Sequence, residues 1–563
     1  MEKGFIREIP DGILPDGWRR ILARYLCMDI LYNAHIYTLN PERPTASALA
    51  IDHGRVLALG NDQQILSEFE RSGEAIDLGG RSIIPGLTDA HIHLEHYALS
   101  LQKVDCETPS KQKCLQRVAE RALHTPRGEW ILGHGWNQND WPDGFGSAAE
   151  LDTVAPDHPV YLTAHSLHAG WANSLALGKA GISAQAEDPP GGRIQRHPGG
   201  GPTGILFENA MALVADVVPA PDPETLAEAI KSAQKQLWRM GLTGVHDFDR
   251  QLCFQALQIL HARGELRLRV TKSIPWEALS HAVELGLRTG FGDDYLRIGS
   301  VKAFSDGALG PRTAAMIQPY EGDPENRGML LLDAEEIFEK GRGAVANGLS
   351  LAIHAIGDRA NHEVLNAFSQ LREFEAAQLP KPGAAARPPL RHRIEHVQVI
   401  HPDDVSRLAQ LGVIASMQPV HVTSDYPAAE RFWGERAAYS YAWRTVLDQG
   451  TLMAYGSDAP VESPNPFWGL HAAVTRHRRD GAPGPEGWYP EQKLTLDEAL
   501  GGYTSGAAYA AGMENRLGKL APNYYADLLV LETDPFTCEA DQLSSILPLA
   551  TMVEGEWVYS GIE

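Results

Sequence analysis

Eight β-rich segments spread along the chain, with helix-like segments between them, constrain its fold more than any other feature. They lie near Gly86–His93, Thr243–Phe248, Arg267–Ser273, Arg297–Phe304, Ser350–Ile356, Arg391–Val397, Val413–Met417 and Thr451–Gly456. Strands separated by helices need crossover connections, and crossovers build parallel sheets. Eight such units close into a ring, so the predicted fold is α/β, a (β/α)8 TIM-type barrel. The intervening helices carry their own start signals. Asp222-Pro223 precedes an apolar stripe at Leu226, Ile230, Ala233 and Leu237, and capping boxes stand at Asp333/Glu336 and Thr495/Glu498.

One interval is too long for this plan. His93 and Thr243 are about 150 residues apart, whereas one βα unit takes roughly 30. A mainly β insertion after the first barrel strand, over residues 104–220 and lying across one barrel mouth, accounts for the excess. Its expected strands are Glu129–Asn137, His158–Ser166, Gly191–His197 and Pro202–Glu208. The Gly-rich run 199–204 lacks the Lys-Ser/Thr that a phosphate cradle needs, so it reads as a hairpin turn. Alternating apolar patterns also mark both ends: Asp29–Leu39, Ser47–Leu59 and Ala75–Ile84, then Ala526–Glu532 and Ala550–Ser560. Residues 28–84 and 515–563 are therefore expected to share one small sheet domain, with a separate domain at each end as the alternative. Residues 85–514 form the barrel, residues 1–27 an N-terminal extension, and Pro380–Pro389 an Ala/Pro-rich linker.

Composition removes several classes of function. Hydrophobic residues make up 43% and charged residues 21%, an ordinary globular balance. Lys and Arg total 49 against 72 Asp and Glu, a net charge of −23 that repels nucleic-acid phosphates and anionic lipid. The five cysteines, Cys27, Cys106, Cys114, Cys253 and Cys538, contain no C-x-x-C pair, which argues against a disulfide framework and against a thiolate zinc site. No signal-peptide core and no uncharged 18-residue apolar run is present. A soluble, unexported protein of the reducing cytoplasm is expected.

The segment Pro85-Gly86-Leu87-Thr88-Asp89-Ala90-His91-Ile92-His93 carries the strongest chemical signal. Side chains two apart on a strand share a face, so His91 and His93 are placed to ligate one metal; two unrelated surface histidines are the alternative. Lys302, His354, His396 and Asp458 each fall at or near the C-terminal end of a different expected strand, where barrel active sites are assembled. Each alone has an ordinary structural explanation. Their joint placement does not. No G-x-S-x-G element occurs, so a serine-hydrolase mechanism has little support.

Longer segments extend the pattern: GHGWNQNDW (133–141), HSLHAGWANSLAL (165–177), VKAFSDGALGPRTA (301–314), LAIHAIGDRAN (351–361), HRIEHVQ (392–398), GSDAPVESPNPFWGL (456–470) and ADLLVLETDPF (526–536). With PGLTDAHIH they resemble the amidohydrolase superfamily, and within it amidohydrolase family 3, the group that contains N-substituted formamide deformylase. The resemblance implies a distorted barrel, a composite β-sandwich domain from both termini and a large insertion after the first strand. It implies two divalent metal ions, with zinc expected and manganese, cobalt or iron as alternatives. His91 and His93 would ligate the more buried ion, His354 and His396 the second, and Asp458 the first while also moving protons. Lys302 would bridge the ions as a carbamate, although related subgroups use another acidic bridge or a single metal.

The implied reaction is cleavage of a C–N amide bond, as in an N-substituted formamide, by a metal-bound hydroxide. Lactone or ester hydrolysis and aminoheterocycle deamination use closely similar sites, and a catalytically silent binding or regulatory protein is the alternative from another class. Three further residues are candidates for contact with substrate. Trp136 would wall an apolar pocket, His168 would hydrogen-bond a carbonyl, and Arg312 would pair a carboxylate or Asp306; each also has a purely structural reading. A small molecule is the expected partner, and self-association into a homodimer is left open.

Overall fold

The computed structural model describes residues 28–138, 141–164, 168–377 and 389–562. The N-terminal extension and all but the last residue of the 380–389 linker lie outside them.

The eight barrel strands are β1 (Leu87–Ile92), β2 (Leu242–Asp247), β3 (Arg269–Pro275), β4 (Leu296–Phe304), β5 (Leu351–Ala355), β6 (Arg393–His396), β7 (Ile414–Met417) and β8 (Met453–Tyr455). They follow one another around a single parallel sheet in chain order, each near its expected position. Every residue of β2, β5, β6, β7 and β8 is buried, as strands covered on both faces require.

The ring is nearly closed. Between β8 and β1 the loop after β8 takes the place of a ladder: Asp458 N–H donates to the His91 carbonyl at 2.7 Å, and His93 N–H to the Ala459 carbonyl at 2.9 Å. Gly456 makes this approach feasible, since a Cβ there would lie 2.4 Å from the His91 nitrogen. Two of the signalled helices begin at their capping boxes, Ala334–Ala346 at Asp333/Glu336 and Leu496–Gly501 at Thr495/Glu498, and the helix over the apolar stripe runs Pro223–Arg239.

Strands from both ends of the chain share one sheet. Ser82–Pro85 pairs antiparallel with Leu528–Leu531, placing Ile83 opposite Val530, and Pro548–Val553 and Glu556–Ser560 extend the sheet. A second sheet of Met28–Tyr32, Ala48–Asp52, Arg55–Gly60 and Gly73–Asp77 belongs to the same region, and Leu31, Leu49, Ile83, Leu528, Val530 and Met552 fill one core. The expected run Asp29–Leu39 is two strands rather than one, because Asn33 turns the chain at φ +54°. A helix over Asp62–Phe69, with an Asn61/Gln64 capping box, has no counterpart in the sequence reading.

Residues Tyr97–Ala229 form a compact unit of their own. Its six-stranded sheet runs Gly192–Arg196, Pro202–Glu208, Ala169–Ala172, Val160–Ala164, Ile131–Trp136 and Val104–Asp105. The Gly-rich run closes the hairpin between the first two, with His197 N–H donating to the Gly201 carbonyl at 2.8 Å. Ala169–Ala172 and Val104–Asp105 escape the sequence reading: one is rich in Ala and Gly, the other two residues long. Among the described residues the cysteines are free thiols, and no helix is long and apolar enough to cross a membrane.

Candidate metal centre

Five barrel strands deliver the candidate ligands to one end. His91 lies near the end of β1 with His93 just beyond it; Lys302 is in β4, His354 in β5, His396 closes β6, and Asp458 follows β8. Asp458 Oδ1 is 3.5 Å from His91 Nε2 and 3.3 Å from His93 Nε2. The His396 ring centre is 5.0 Å from that of His91 and 4.5 Å from that of His354.

Each imidazole is fixed through one nitrogen by a residue other than a candidate ligand. His91 Nδ1 lies 2.7 Å from Glu395 Oε2, His93 Nδ1 3.0 Å from Asp249 Oδ1, and His396 Nδ1 2.8 Å from Gln418 Oε1. His354 uses the other nitrogen, its Nε2 standing 2.9 Å from the Gly307 carbonyl. Since all four partners are oxygen acceptors, these nitrogens carry the protons. The opposite nitrogens of three of the rings, Nε2 of His91 and His396 and Nδ1 of His354, are left as lone pairs, whereas His93 Nε2 lies beside the Asp458 carboxylate.

Charge states favour the same use. Burial holds the pKa of His91 down at about 4 and that of His354 at about 3, and lowers His396 well below its ordinary value, so all three are neutral near pH 7. Burial also opposes charge on His93, but Asp249 and Asp458 outweigh it and raise its pKa to about 9. Burial works against the Asp458 carboxylate as well, yet the surrounding His91, His93, His396 and His421 hold its pKa well below the usual range. Three neutral imidazoles beside an ionised carboxylate suit a borderline divalent ion, and such an ion would take the place of the proton that His93 holds without it. The 3.3 and 3.5 Å donor spacings are close to the roughly 3.3 Å that separates ligands about 2.0–2.1 Å from a tetrahedral zinc.

Lys302 is 5% exposed and has no carboxylate within ion-pair range among the described residues. Its Nζ lies 4.6 Å from the Phe248 ring centre and 4.9 Å from that of Phe304. Burial pushes its pKa down to about 8 against the pull of Glu395 and Asp458.

Two ligand positions sit in strained backbone. His396 has φ +77° and Asp458 φ +60°, a left-handed region costing about 1–3 kcal/mol for such residues. Asp89 helps to hold the second of these: its carboxylate accepts from His91 N–H and from Ser457 N–H, each at 3.0 Å, tying β1 to the loop that carries Asp458.

The candidates for substrate contact are placed differently. Trp136 is fully buried in the core of the 97–229 unit, against Trp141 and Trp171, with its indole N–H on the Leu162 carbonyl. His168, in the same unit, is 71% exposed and 2.9 Å from Glu208. Arg312 pairs with Asp323 at 3.1 Å rather than with Asp306, whose carboxylate instead accepts three backbone N–H groups, of Ala315, Ile356 and Gly357. Conversely, Glu395, Asp249 and Gln418 orient the histidines without having been singled out in the sequence. Glu395 stands beside His396, the one local hint among them, whereas Asp249, just beyond β2, meets His93 through the pairing of β1 with β2.

The amidohydrolase family pattern matches residues 74–559. Protein YtcJ of Bacillus subtilis (strain 168) is 34% identical over 94% of this chain and 99% of its own length. An N-substituted formamide deformylase of Arthrobacter pascens is 28% identical over 93% of this chain and 97% of its own. The crystal structure of an uncharacterized metal-dependent hydrolase from Pyrococcus furiosus superposes with a TM-score of 0.75 at 30% identity, covering 91% of this chain and all of that one. A parallel eight-stranded barrel, histidines with free donor nitrogens at its C-terminal end, and these likenesses lead to one conclusion: the chain belongs to the amidohydrolase family of metal-dependent hydrolases.

Proposed function

We propose that the protein hydrolyses a carbon–nitrogen amide bond of the N-substituted formamide type, using two divalent ions, zinc in the first instance. The observation that carries this reading is the set of four imidazoles, each anchored through one nitrogen by a residue outside the ligand set, gathered with the ionised Asp458. His91, His93 and Asp458 would hold one ion, His354 and His396 the other, and Lys302 the bridge between them. When bound, such ions polarise a carbonyl and lower the pKa of water towards about 7.

The chain's own groups supply the rest. Asp458, ionised at neutral pH, accepts the proton of the attacking water at a carboxylate oxygen and returns it to the leaving nitrogen. Glu395, Asp249 and Gln418 keep the rings aimed while charge builds at the reacting carbon. Lys302 Nζ, unpaired and buried, is neutral often enough to add to carbon dioxide: nitrogen bonds to carbon, one N–H proton leaves to solvent, and a carbamate anion remains. The formamide class is chosen because the Arthrobacter relative bears that name over nearly the whole chain.

The test is a substrate panel of N-substituted formamides, other amides, lactones and aminoheterocycles, run with zinc-, manganese- and cobalt-loaded protein. Amide turnover abolished by a chelator and restored by metal is the expected result. Turnover of lactones or aminoheterocycles alone would replace the amide assignment, and full activity in chelator would remove the metals from the mechanism.

A further inference from the structure

A second group of potential ligands lies away from the barrel mouth. His471 belongs to the helix Pro466–Thr475 and is 1% exposed. His477 lies just beyond that helix. Between them Arg476 adopts φ +60°, capping the helix with its N–H on the Ala472 carbonyl at 2.9 Å. This left-handed residue ends the helix and turns the chain, and the two imidazoles stand 5.1 Å apart between ring centres. Asp541, from the short helical turn Ala540–Ser545, completes the group, its Oδ1 lying 3.1 Å from His477 Nε2 and 3.6 Å from His471 Nε2.

The hydrogen bonds settle which nitrogen carries the proton on His477. Its Nδ1 is 2.8 Å from the Arg478 carbonyl, which only accepts, so the proton is on Nδ1. The opposite nitrogen, Nε2, faces the Asp541 carboxylate. His471 Nδ1 is buried with no hydrogen-bond partner, which leaves Nε2, facing the same oxygen, as that ring's polar contact. Two imidazole nitrogens and an anion thus converge on one point. Hydrogen bonding accounts for His477 at 3.1 Å but not for His471, since 3.6 Å is too long for such a bond. A tetrahedral ion with ligands at about 2.0–2.1 Å spaces them roughly 3.3 Å apart, between the two separations seen. The Asp541 side chain is 76% exposed, so water has access to the remaining coordination position.

We infer that His471, His477 and Asp541 form a second, structural site for a divalent transition-metal ion, zinc by ligand type, distinct from the barrel-end centre. Two imidazoles disfavour magnesium and calcium. The ion would clamp the helix that follows the Asp458 loop to the segment leading into Pro548–Val553 of the terminal sheet. Binding energy at such a clamp is folding energy.

The full chain, stripped with a chelator and dialysed against zinc alone, is compared with its Asp541→Ala and His477→Ala variants. Zinc per chain and thermal unfolding with and without zinc are measured. Each variant is expected to bind one zinc fewer than the parent and to lose part of the zinc-dependent rise in melting temperature. Variants that keep the parent's zinc content overturn the site, whatever the barrel centre binds. If His477→Ala fails to fold, the exposed Asp541→Ala variant decides alone.

Discussion

Two lysines on adjacent barrel strands share nearly complete burial and part in every other respect. Lys272 in β3 is 2% exposed and Lys302 in β4 is 5% exposed. Lys272 Nζ stands 2.8 Å from Asp247 Oδ2 and also donates to the Asp249 carbonyl. Burial lowers its pKa, but Asp247 more than offsets this and the net shift is upward. Lys302 has aromatic rings in place of an anion, so burial prevails and its pKa falls to about 8. Burial alone therefore does not make a lysine reactive; the missing fixed carboxylate does. Even the structural lysine serves the site. Asp247 accepts from Leu94 N–H at 2.9 Å and Asp249 holds His93, so the Lys272 pair steadies the turn that presents a ligand.

Replacing each lysine by Met separates the two roles with the largest expected effect. Lys272→Met leaves Asp247 buried without its cation and should cost about 3–5 kcal/mol of stability, read by urea unfolding. Lys302→Met should not destabilise the fold, since it removes a buried amine whose charged form burial disfavours, while removing turnover on whichever substrate the panel identifies. Lys302→Ala should be partly rescued by formate or acetate added with metal, and Lys272→Ala should not. The reverse pattern would break the comparison.

Asp458→Asn comes next. It keeps one oxygen ligand but removes the proton carrier, so turnover should fall by about 10²–10⁴-fold with metal content falling less. Wild-type turnover would remove Asp458 from proton transfer. Glu395→Gln is milder, with metal affinity weakened about 10–100-fold by the loss of the His91 anchor. Because Glu395 is the largest influence raising the Lys302 pKa, the same variant should make that amine less basic still. Equal zinc affinity in equilibrium dialysis would show that His91 needs no carboxylate behind it.

Periodicity makes the barrel legible in sequence, since strands buried on both faces are continuous apolar runs, and each ligand falls where such a run ends. What orients the ligands is not legible. Glu395 reaches His91 across 304 positions and Asp249 reaches His93 across 156, contacts that only the folded sheet creates. The left-handed backbone of His396 and Asp458 is also silent, because Asp and His enter that region more often than most residues yet too rarely to mark a particular position. Trp136 shows the opposite limit: a Trp in a family-like segment away from the ligands reads equally as a pocket wall or as core, and its ring fills the core of the 97–229 unit. The His471, His477 and Asp541 group stays hidden for a related reason. Two of its members are near in sequence, but the turn at Arg476 and the return of the C-terminal segment bring the third to them.

The smallest predicted effect is a pH dependence that has opposite signs for the two lysines. In metal-free protein and buffer free of carbon dioxide, Lys302 titrates near pH 8 when folded and near 10.5 when unfolded. Between those values the unfolded chain binds the extra proton, so this group's contribution to stability rises with pH across the window and is lost as pH falls through about 8. Lys272 has its folded pKa above 10.5, so the stability of its ion pair is fully present below that value and lost only at higher pH. From pH 8 to 9.5 the wild type should therefore gain about 1.6 kcal/mol over Lys302→Met. Over the same range its margin over Lys272→Met should stay constant, because the Lys302 contribution is common to both chains and cancels. Urea unfolding of the three proteins at the two pH values measures both differences. A margin over Lys302→Met that does not move with pH would mean that Lys302 is a paired ammonium like Lys272, and the reactive amine would have to be given up together with the carbamate built on it.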